Sequence, residues 1–378
     1  MVRRRAVVMS HRVTGPCLRA TSLDHVAAHE IRKRVDEALY AFVDDRRPLL
    51  GAVSADLTPL LTALDALLSG GKRLRPAFCY WGWRGSGGAD LPEFFTAAAS
   101  LELLQAGALI HDDVMDGSDT RRGMPAVHRR FEALHAESGW RGSAEGFGAG
   151  AAILLGNVCL TWCDEMYQGS GLPDDALTRG RPLFNQMRTE VMCGQYLDLL
   201  GQARGRQPDA HEMVETALRV VRFKSAKYTV ERPLQLGAAL AGSPSVAALS
   251  AYGMPVGIAF QLRDDVLGVY GDPAETGKPA GDDLREGKRT VLVALTLERA
   301  SAAEATTVER LLGDPELDAA GVETLREIIV TTGALDACEE MIDRYASEAS
   351  AALAAAPLTA DARAALSELT VAATARTV

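Results

Sequence analysis

Apolar residues recur at spacings of three and four along most of the chain and hardly anywhere at two. That is the pattern of one helical face, not of a half-buried strand. The segments HVAAHEIRKRVDEALYAFV, LTPLLTALDALL (57–68), FFTAAASLELLQAGALIHDDVMD (94–116), ALTRGRPLFNQMRTEVMCGQYLDLL (176–200) and HEMVETALRVVRFKSAKYTV (211–230) each read as a helix. Ala and Leu outnumber β-branched residues in them, so propensity agrees with pattern. No segment reads as a strand. Order is expected to begin at Thr21-Ser22-Leu23-Asp24, a hydroxyl residue followed three positions later by an acid. Glycine and proline interrupt the pattern at 69–71, 85–88, 139–150, 169–173, 201–208 and 271–287, the expected connections. No Pro/Ser-rich linker divides the chain. The expectation is one all-α domain over residues 21–378, a single large helical bundle, after a loose arginine-bearing tail over residues 1–20. The segment from Ser301 onward, Ala-rich, charged and periodic, reads as covering helices.

Composition narrows the function. With 378 residues, 47% of them apolar and 24% charged, the chain can fill an ordinary core. A net charge of −10 argues against a general nucleic-acid binder, which needs a basic surface to displace counterions from phosphate. Any phosphate must therefore be held locally. Six scattered cysteines make no disulfide framework and point to a reducing compartment, the cytoplasm. The start MVRRRAVVMSHRV is positive, but His11 and Arg12 cut its apolar run short of an export signal. Two uncharged stretches are long enough to be considered as membrane spans. The first, 233–262, is interrupted by Gly242-Ser243-Pro244 and Pro255, and the second, 146–163, by four glycines and Asn157. Neither offers about 20 apolar residues in one helix, and both read as buried helices.

Chemistry concentrates at a few points. Asp112, Asp113 and Asp116 end an otherwise apolar helix, and residues 112 and 116 leave the same face one turn apart. Several acids on a core helix need a compensating cation. Oxygen ligands without a Cys/His cluster suit Mg²⁺, which keeps waters and is completed by substrate phosphates; solvated acids at a frayed helix end are the alternative. Asp264 and Asp265 repeat the arrangement at the end of a second apolar helix, which suggests one metal site walled from two sides. Lys72 and Arg75 follow the pair Gly70-Gly71, with Pro76 suited to a first helical turn. This is a good anion site, although a solvated basic turn looks the same. Asp119-Thr120-Arg121-Arg122-Gly123 comes directly after the first acids, and Lys224, Lys227, Lys278 and Lys288 later. Acid-bound metal with convergent Lys and Arg makes diphosphates the natural ligands.

Taken together, these residues resemble the trans-type isoprenyl diphosphate synthases of the polyprenyl synthetase family, which includes farnesyl and geranylgeranyl diphosphate synthases. The resemblance runs from about Leu57 to Ala300. GGKRLRP looks like the family's isopentenyl diphosphate motif, HDDVMD its first aspartate-rich motif and DTRRG the arginine pair that follows. Further matches are Gly194-Gln195-Tyr196-Leu197-Asp198, Lys224-Ser225 with Tyr228, Phe260-Gln261-Leu262-Arg263-Asp264-Asp265, and the lysines of TGKPAGDDLREGKRT. The resemblance implies an all-α bundle around an apolar cavity, three Mg²⁺ per site and a homodimer. It implies Asp112, Asp116 and Asp264 as principal metal ligands, with Asp113, Asp265 and Asp198 in support. Gly71, Lys72, Arg75, Gln105 and Arg122 would hold isopentenyl diphosphate. Arg121, Lys224, Gln261, Lys278 and Lys288 would hold the allylic diphosphate, with Ser225 and Tyr228 near the reacting carbons. Where the second motif usually ends in a third aspartate this chain has Gly268, for which Asp272 or Asp282 can substitute.

The implied reaction breaks the allylic C–O bond as Mg²⁺ and Lys/Arg neutralise the departing diphosphate. The double bond of isopentenyl diphosphate then attacks, and the released diphosphate removes the proton. If the product tail runs beside the helix bearing Asp112, Gly107 and Ala108 lie one turn below it. Neither is aromatic, so Leu104 or a neighbouring helix must stop the chain; C20, geranylgeranyl diphosphate, is the expected product, with C15 if another helix intrudes and C25 or longer if none does. A class I terpene cyclase is a second reading, disfavoured because GGKRLRP would have no second diphosphate to hold. A non-catalytic subunit of a heteromeric synthase is a third, disfavoured because the charged motifs are present.

Other features carry no chemistry in this reading. Cys159 and Cys163 read as core packing, as do Trp81, Trp83 and Trp162 in the core or an interface. His111 reads as a satisfied hydrogen-bonding group, and Asp174-Asp175 as acids that suit a helix start.

Overall fold

In the computed structural model the residues described are 22–204, 210–272, 281–314 and 316–374. The expected tail over residues 1–20, Cys17 and Lys278 lie outside them. The chain passes from helix to helix as the periodicity requires: α1 (Ser22–Val53), α2 (Thr58–Leu68), α3 (Leu74–Gly85), α4 (Pro92–Asp116), α5 (Val127–Glu137), α6 (Ala144–Gln168), α7 (Asp174–Arg204) and α8 (Ala210–Val220). α8 runs without a break into a π-helical segment, Val221–Glu231, and on into α9 (Arg232–Leu240). Then come α10 (Ser250–Tyr270), the short α11 (Asp282–Arg285), α12 (Val291–Arg299), α13 (Ala302–Leu311), α14 (Ala319–Thr331), α15 (Ala334–Ala355) and α16 (Ala360–Thr374). α14 shows the covering pattern expected after Ser301, burying Val322, Leu325, Ile328 and Ile329 at helical spacing.

α4 is apolar on nearly all sides because it is central, burying Phe94, Leu101, Leu103, Leu104 and Ile110 around its circumference. One buried core joins it to α1, α2, α6 and α7; a second joins α8, α10, α12, α14 and α15. The walls between these cores carry the site.

Three expectations are corrected. The stretch 139–150 is not one loop: Ser143 caps α6 by accepting from the Gly146 amide at 3.0 Å, and the helix continues through Gly146, Gly148 and Gly150. At Gly148 a Cβ would lie 2.3 Å from the His128 carbonyl, so glycine there serves the approach of α5 and not a break. Consequently α6, mean hydropathy 1.5, and α4, mean hydropathy 1.2, are both long and apolar enough to cross a membrane by length and composition. In the most apolar stretch of each, 72% of α4 and 39% of α6 are buried inside the fold. α10 likewise runs through Pro255. Finally, a two-residue antiparallel pair exists, β1 (Thr120–Arg121) with β2 (Met124–Pro125). Its turn residues, Arg122 and Gly123, have φ of 55° and 73°, the left-handed pair that closes tight hairpins.

The π-helical segment is held by backbone contact on two sides. A Cβ at Gly194 of α7 would lie 2.4 Å from the Lys224 nitrogen, and one at Gly257 of α10 would lie 2.5 Å from the Ala226 Cα. The extra residue per turn turns Lys224, Ser225 and Tyr228 toward one cavity.

Candidate active site

A cavity of about 1300 Å³ lies between α3, α4, α7, the π-helical segment, α10 and α11. Asp112 on α4 and Asp264 on α10 both line it, so the two acidic stretches meet across one space. α4 stops at Gly117, φ 66°, which lets the chain turn into the hairpin directly after Asp116.

Lys224 Nζ donates to Asp112 Oδ1 at 3.0 Å and to Asp198 Oδ2 at 2.6 Å. Burial would raise the Asp112 carboxyl, but Lys224, Lys288 and Arg121 outweigh it and hold it at about 2. The same carboxylates overcome burial and raise the Lys224 ammonium, so both groups are charged. Asp116 is the opposite case. Its side chain is 2% exposed, its Oδ2 has no hydrogen-bond partner, and the nearest cation is the Lys288 amine at 3.5 Å. Burial, reinforced by Asp112 beside it, pushes its carboxyl up to about 6. Asp113 is turned out of the cavity lining and pairs with Arg121, whose Nε donates to it at 2.9 Å. Instead of joining the metal-facing acids it fixes Arg121, which also stands 3.7 Å from Asp112.

On the opposite wall Asp265 is buried and accepts from Gln261 Nε2 at 2.7 Å; burial pushes its carboxyl well up. Lys288 reaches Asp283 at 3.3 Å and Glu286 at 2.5 Å as well as Asp116. Ser118, in the turn after α4, donates to Glu286 at 2.5 Å and ties the first acidic stretch to the loop after α11. Asp282 lines the cavity, whereas Asp272 does not. It is the carboxylate of Asp283 that lies against Gly268.

The basic loop between α2 and α3 takes its shape from a residue the sequence reading passed over. Arg73, in a left-handed conformation with φ 54°, is buried and donates to Asp36 of α1 at 2.7 Å and Glu102 of α4 at 2.8 Å. It also donates to the carbonyls of Leu68 and Gly70. Arg122, on the hairpin turn, donates to Leu67 and to the same Gly70 carbonyl at 2.7 Å. Lys72 and Arg75, on either side of Arg73 and Leu74, line the cavity with Gly71 and Arg122. Arg75 donates to Thr229 at 2.8 Å and lies 4.1 Å over the Tyr228 ring, while its buried Nε has no partner. Tyr228 donates its hydroxyl hydrogen to Gln105 at 2.9 Å. Ser225 is buried at the cavity wall between these groups and Lys224.

Below Asp112 the structure separates two residues treated alike. Ala108 lines the cavity, whereas Gly107 faces α6, where a Cβ would meet Leu160 and the Gly156 carbonyl at 3.0 Å. Leu104 is buried away from the cavity; Ile153 of α6 and Val191, Met192 and Gln195 of α7 line it there. The features set aside behave as read. Cys159 and Cys163 are fully buried, and none of the described cysteines is in a disulfide. The His111 ring is satisfied by the Ile153 carbonyl at 3.1 Å, and Asp174 and Asp175 lie in the first turn of α7.

Among the described residues no group of three acidic, histidine or cysteine side chains already forms a metal cage. Mg²⁺ does not need one, since it is held by one or two carboxylates together with substrate oxygens. Of the acids expected to hold it, Asp112, Asp264 and Asp265 line the cavity, whereas Asp116, like Asp113, is not among the lining residues; its buried oxygen without a hydrogen-bond partner, one turn from Asp112, is an environment a divalent cation fits.

The fold is shared with solved structures. The crystal structure of a geranylgeranyl pyrophosphate synthase from Corynebacterium glutamicum, complexed with isoprenyl diphosphate and magnesium, superposes with a TM-score of 0.88 at 42% identity, covering 93% of this chain and 99% of that one. With these relatives and the family match that follows, the chain is a trans-prenyltransferase with the all-α isoprenyl synthase fold. Residues 58–329 match polyprenyl synthetase, and the chain belongs to that family. A geranylfarnesyl diphosphate synthase from Aeropyrum pernix is 32% identical over 78% of this chain and 86% of that protein. Heptaprenyl diphosphate synthase component 2 from Geobacillus stearothermophilus is 32% identical over 83% and 90%.

Proposed function

We propose that the protein condenses isopentenyl diphosphate with an allylic diphosphate to give geranylgeranyl diphosphate, C20, using three Mg²⁺ per site. The observation that carries this reading is the meeting of the two acidic walls with Lys224, Lys288 and Arg121 over one cavity, while Lys72, Arg75 and Arg122 stand at a second, separate basic edge. Two cationic edges suit two diphosphates.

In this reading Asp112, Asp116 and Asp264, supported by Asp265, hold the metal, which supplies Lewis-acid neutralisation of the leaving group. Lys224, Arg121, Gln261 and Lys288 hold the allylic diphosphate, and Lys278 has the same role by resemblance. Lys224 and Arg121 stay protonated beside Asp112 and Asp113, so their charge is in place before the C–O bond breaks. Lys72, Arg75 and Arg122, with Gly71 and Gln105, fix isopentenyl diphosphate so that its double bond faces the allylic carbon, and proximity replaces a nucleophilic side chain. Tyr228 and Ser225 bound the reacting carbons, and the apolar wall excludes water from the cation. The departing diphosphate takes the proton.

The small side chain of Ala108 and the α6 and α7 side chains opposite support a C20 product. A homodimer is supported by apolar residues left exposed on and before α6: Leu154, 63% exposed, with Ile153, Phe147 and Trp140. The Geobacillus relative is a component by name, so a heteromeric assembly is the alternative. Unpaired cysteines support a cytoplasmic setting. Incubation with isopentenyl diphosphate and dimethylallyl, geranyl or farnesyl diphosphate in turn, with and without Mg²⁺, tests the reading by product sizing. A Mg²⁺-dependent C20 diphosphate is expected. Cyclic hydrocarbon from a single substrate would favour a terpene cyclase, and no turnover with any primer a non-catalytic subunit.

A further inference from the structure

Gly268 follows Asp264 by four residues on α10, as Asp116 follows Asp112 on α4. The two walls thus carry acids at the same helical offsets except at this one position. Backbone geometry does not demand glycine here, because residue 268 lies inside α10 and is not among those with positive φ. In a helix interior glycine is less stable than alanine. What it provides is room: a Cβ at residue 268 would lie 1.9 Å from Asp283 Oδ2.

The Asp283 carboxylate, carried on α11, therefore occupies the place a side chain at 268 would take. Lys288 holds it there, standing 3.3 Å from Asp283 Oδ1 and 3.5 Å from Asp116 Oδ2. Asp116 is buried, and that oxygen has no hydrogen-bond partner. Lys288 stands against the carboxylates of Asp116, Asp283 and Glu286, which draws three acids from two stretches of chain around one amine beside the unpartnered Asp116 oxygen. A divalent cation would give that oxygen a partner and hold the clustered carboxylates together.

We infer that Asp283 completes the second acidic wall as a ligand of the divalent cation, and that Gly268 is the vacancy that admits it. The inference rests on the metal-dependent reading above and adds to it a residue distant in sequence from the aspartate pair. It places in this role neither Asp272 nor Asp282 but Asp283, the carboxylate against Gly268.

The test is Mn²⁺ binding in the presence of inorganic pyrophosphate, read from the electron paramagnetic resonance signal of free Mn²⁺, on the full chain. Folding is checked by circular dichroism. Asp283→Asn removes the ligand, and Gly268→Ala displaces it without touching an acid. Each should weaken Mn²⁺ binding roughly ten-fold or more. The exchange Gly268→Asp with Asp283→Gly returns a carboxylate to the same space and should recover most of the affinity. Folded Asp283→Asn protein that binds Mn²⁺ like wild type overturns the inference, as does an exchange variant no better than Asp283→Asn. If Asp283→Asn does not fold, Gly268→Ala decides, and wild-type affinity there overturns it equally. Wild-type protein that binds Mn²⁺ but transfers no prenyl group would instead overturn the proposed function.

Discussion

Lys224 and Asp112 are joined at 3.0 Å across the boundary between the π-helical segment and α4, and the same amine reaches Asp198 on α7 at 2.6 Å. One ammonium thus fastens three walls of the cavity and, in the proposed reaction, faces the leaving diphosphate. Lys224→Met should lower kcat about 10²- to 10³-fold, as loss of a preorganised donor does. It should also lower the melting temperature, because two carboxylates lose their partner. Lys224→Arg should recover stability before activity. Steady-state turnover and thermal melts check this, and wild-type kcat in Lys224→Met would remove the lysine from the chemistry.

The wide turn that presents Lys224 depends on Gly194 and Gly257. Gly194→Ala would place a methyl group 2.4 Å from the Lys224 nitrogen. The segment must shift, at a cost of about 1–3 kcal/mol. Lys224, Ser225 and Tyr228 lose register together. The expected result is a lower melting temperature with a disproportionate fall in kcat, whereas Gly201→Ala on the same helix, with open space around it, should leave kcat unchanged and the melting temperature no lower.

Ala108 lines the cavity one turn below Asp112. Ala108→Phe should raise the floor by about one isoprene unit and move the main product from C20 to C15. Gly107→Phe should instead strike Leu160 and destabilise the fold without a clean change in product length. Radio-chromatography of products, with thermal melts of both variants, separates the outcomes. An unchanged distribution in folded Ala108→Phe would put the floor elsewhere.

Chelation of divalent ions should abolish product formation, and Mg²⁺ added back with pyrophosphate should raise the melting temperature by binding the folded state only. Asp112→Asn and Asp264→Asn should each lose most of that rise. A rise of wild-type size in either would place the ion away from that wall.

Glu190 offers a check of the scaffold by pH. Burial works to raise its carboxyl, but hydrogen bonds from Arg232 and Lys227 prevail and hold it at about 2, below its ordinary value of 4.5. A depressed carboxyl stabilises the fold above the unfolded value, and that stability drains away as pH falls from about 4.5 toward 2. Glu190→Gln should therefore be less stable than wild type at pH 7, by on the order of 1 kcal/mol because solvent screens the partly exposed pair, with the gap narrowing as pH is lowered toward 3. Denaturant midpoints at several pH values measure it; a gap that widens on acidification would contradict the assignment.

Much of this architecture was legible because its signals are local. The acids at 112, 116 and 264 each end an apolar helical run, and the loop around Lys72 and Arg75 sits between two helices, so spacing alone marked them. What escaped was set by distant contacts. The stretch 211–230 keeps an apolar pattern through the π-helical turns, and nothing in its own residues reports Gly194 and Gly257 pressing on it. Gly148 read as a breaker because its partner, the His128 carbonyl, lies on another helix. The hairpin at 120–125 is too short for a period-two signal, and nothing in its own neighbours marks Arg73 as buried, since Asp36 and Glu102, which enclose it, lie 37 and 29 residues away. Asp113 read as a third metal-facing acid because adjacency in sequence says nothing about which way a helix turns it.

The carbonyl end of α2 points its negative pole into the basic loop, where an incoming pyrophosphate would be repelled. Arg73 and Arg122 cover that pole, between them donating to the carbonyls of Leu67, Leu68 and Gly70, and Gly70 serves both. With both of its lone pairs engaged, Gly70 presents no acceptor to the cavity. The two guanidinium groups thus act as an electrostatic lid on the helix terminus, and selectivity for anions at this edge comes as much from silenced acceptors as from added positive charge.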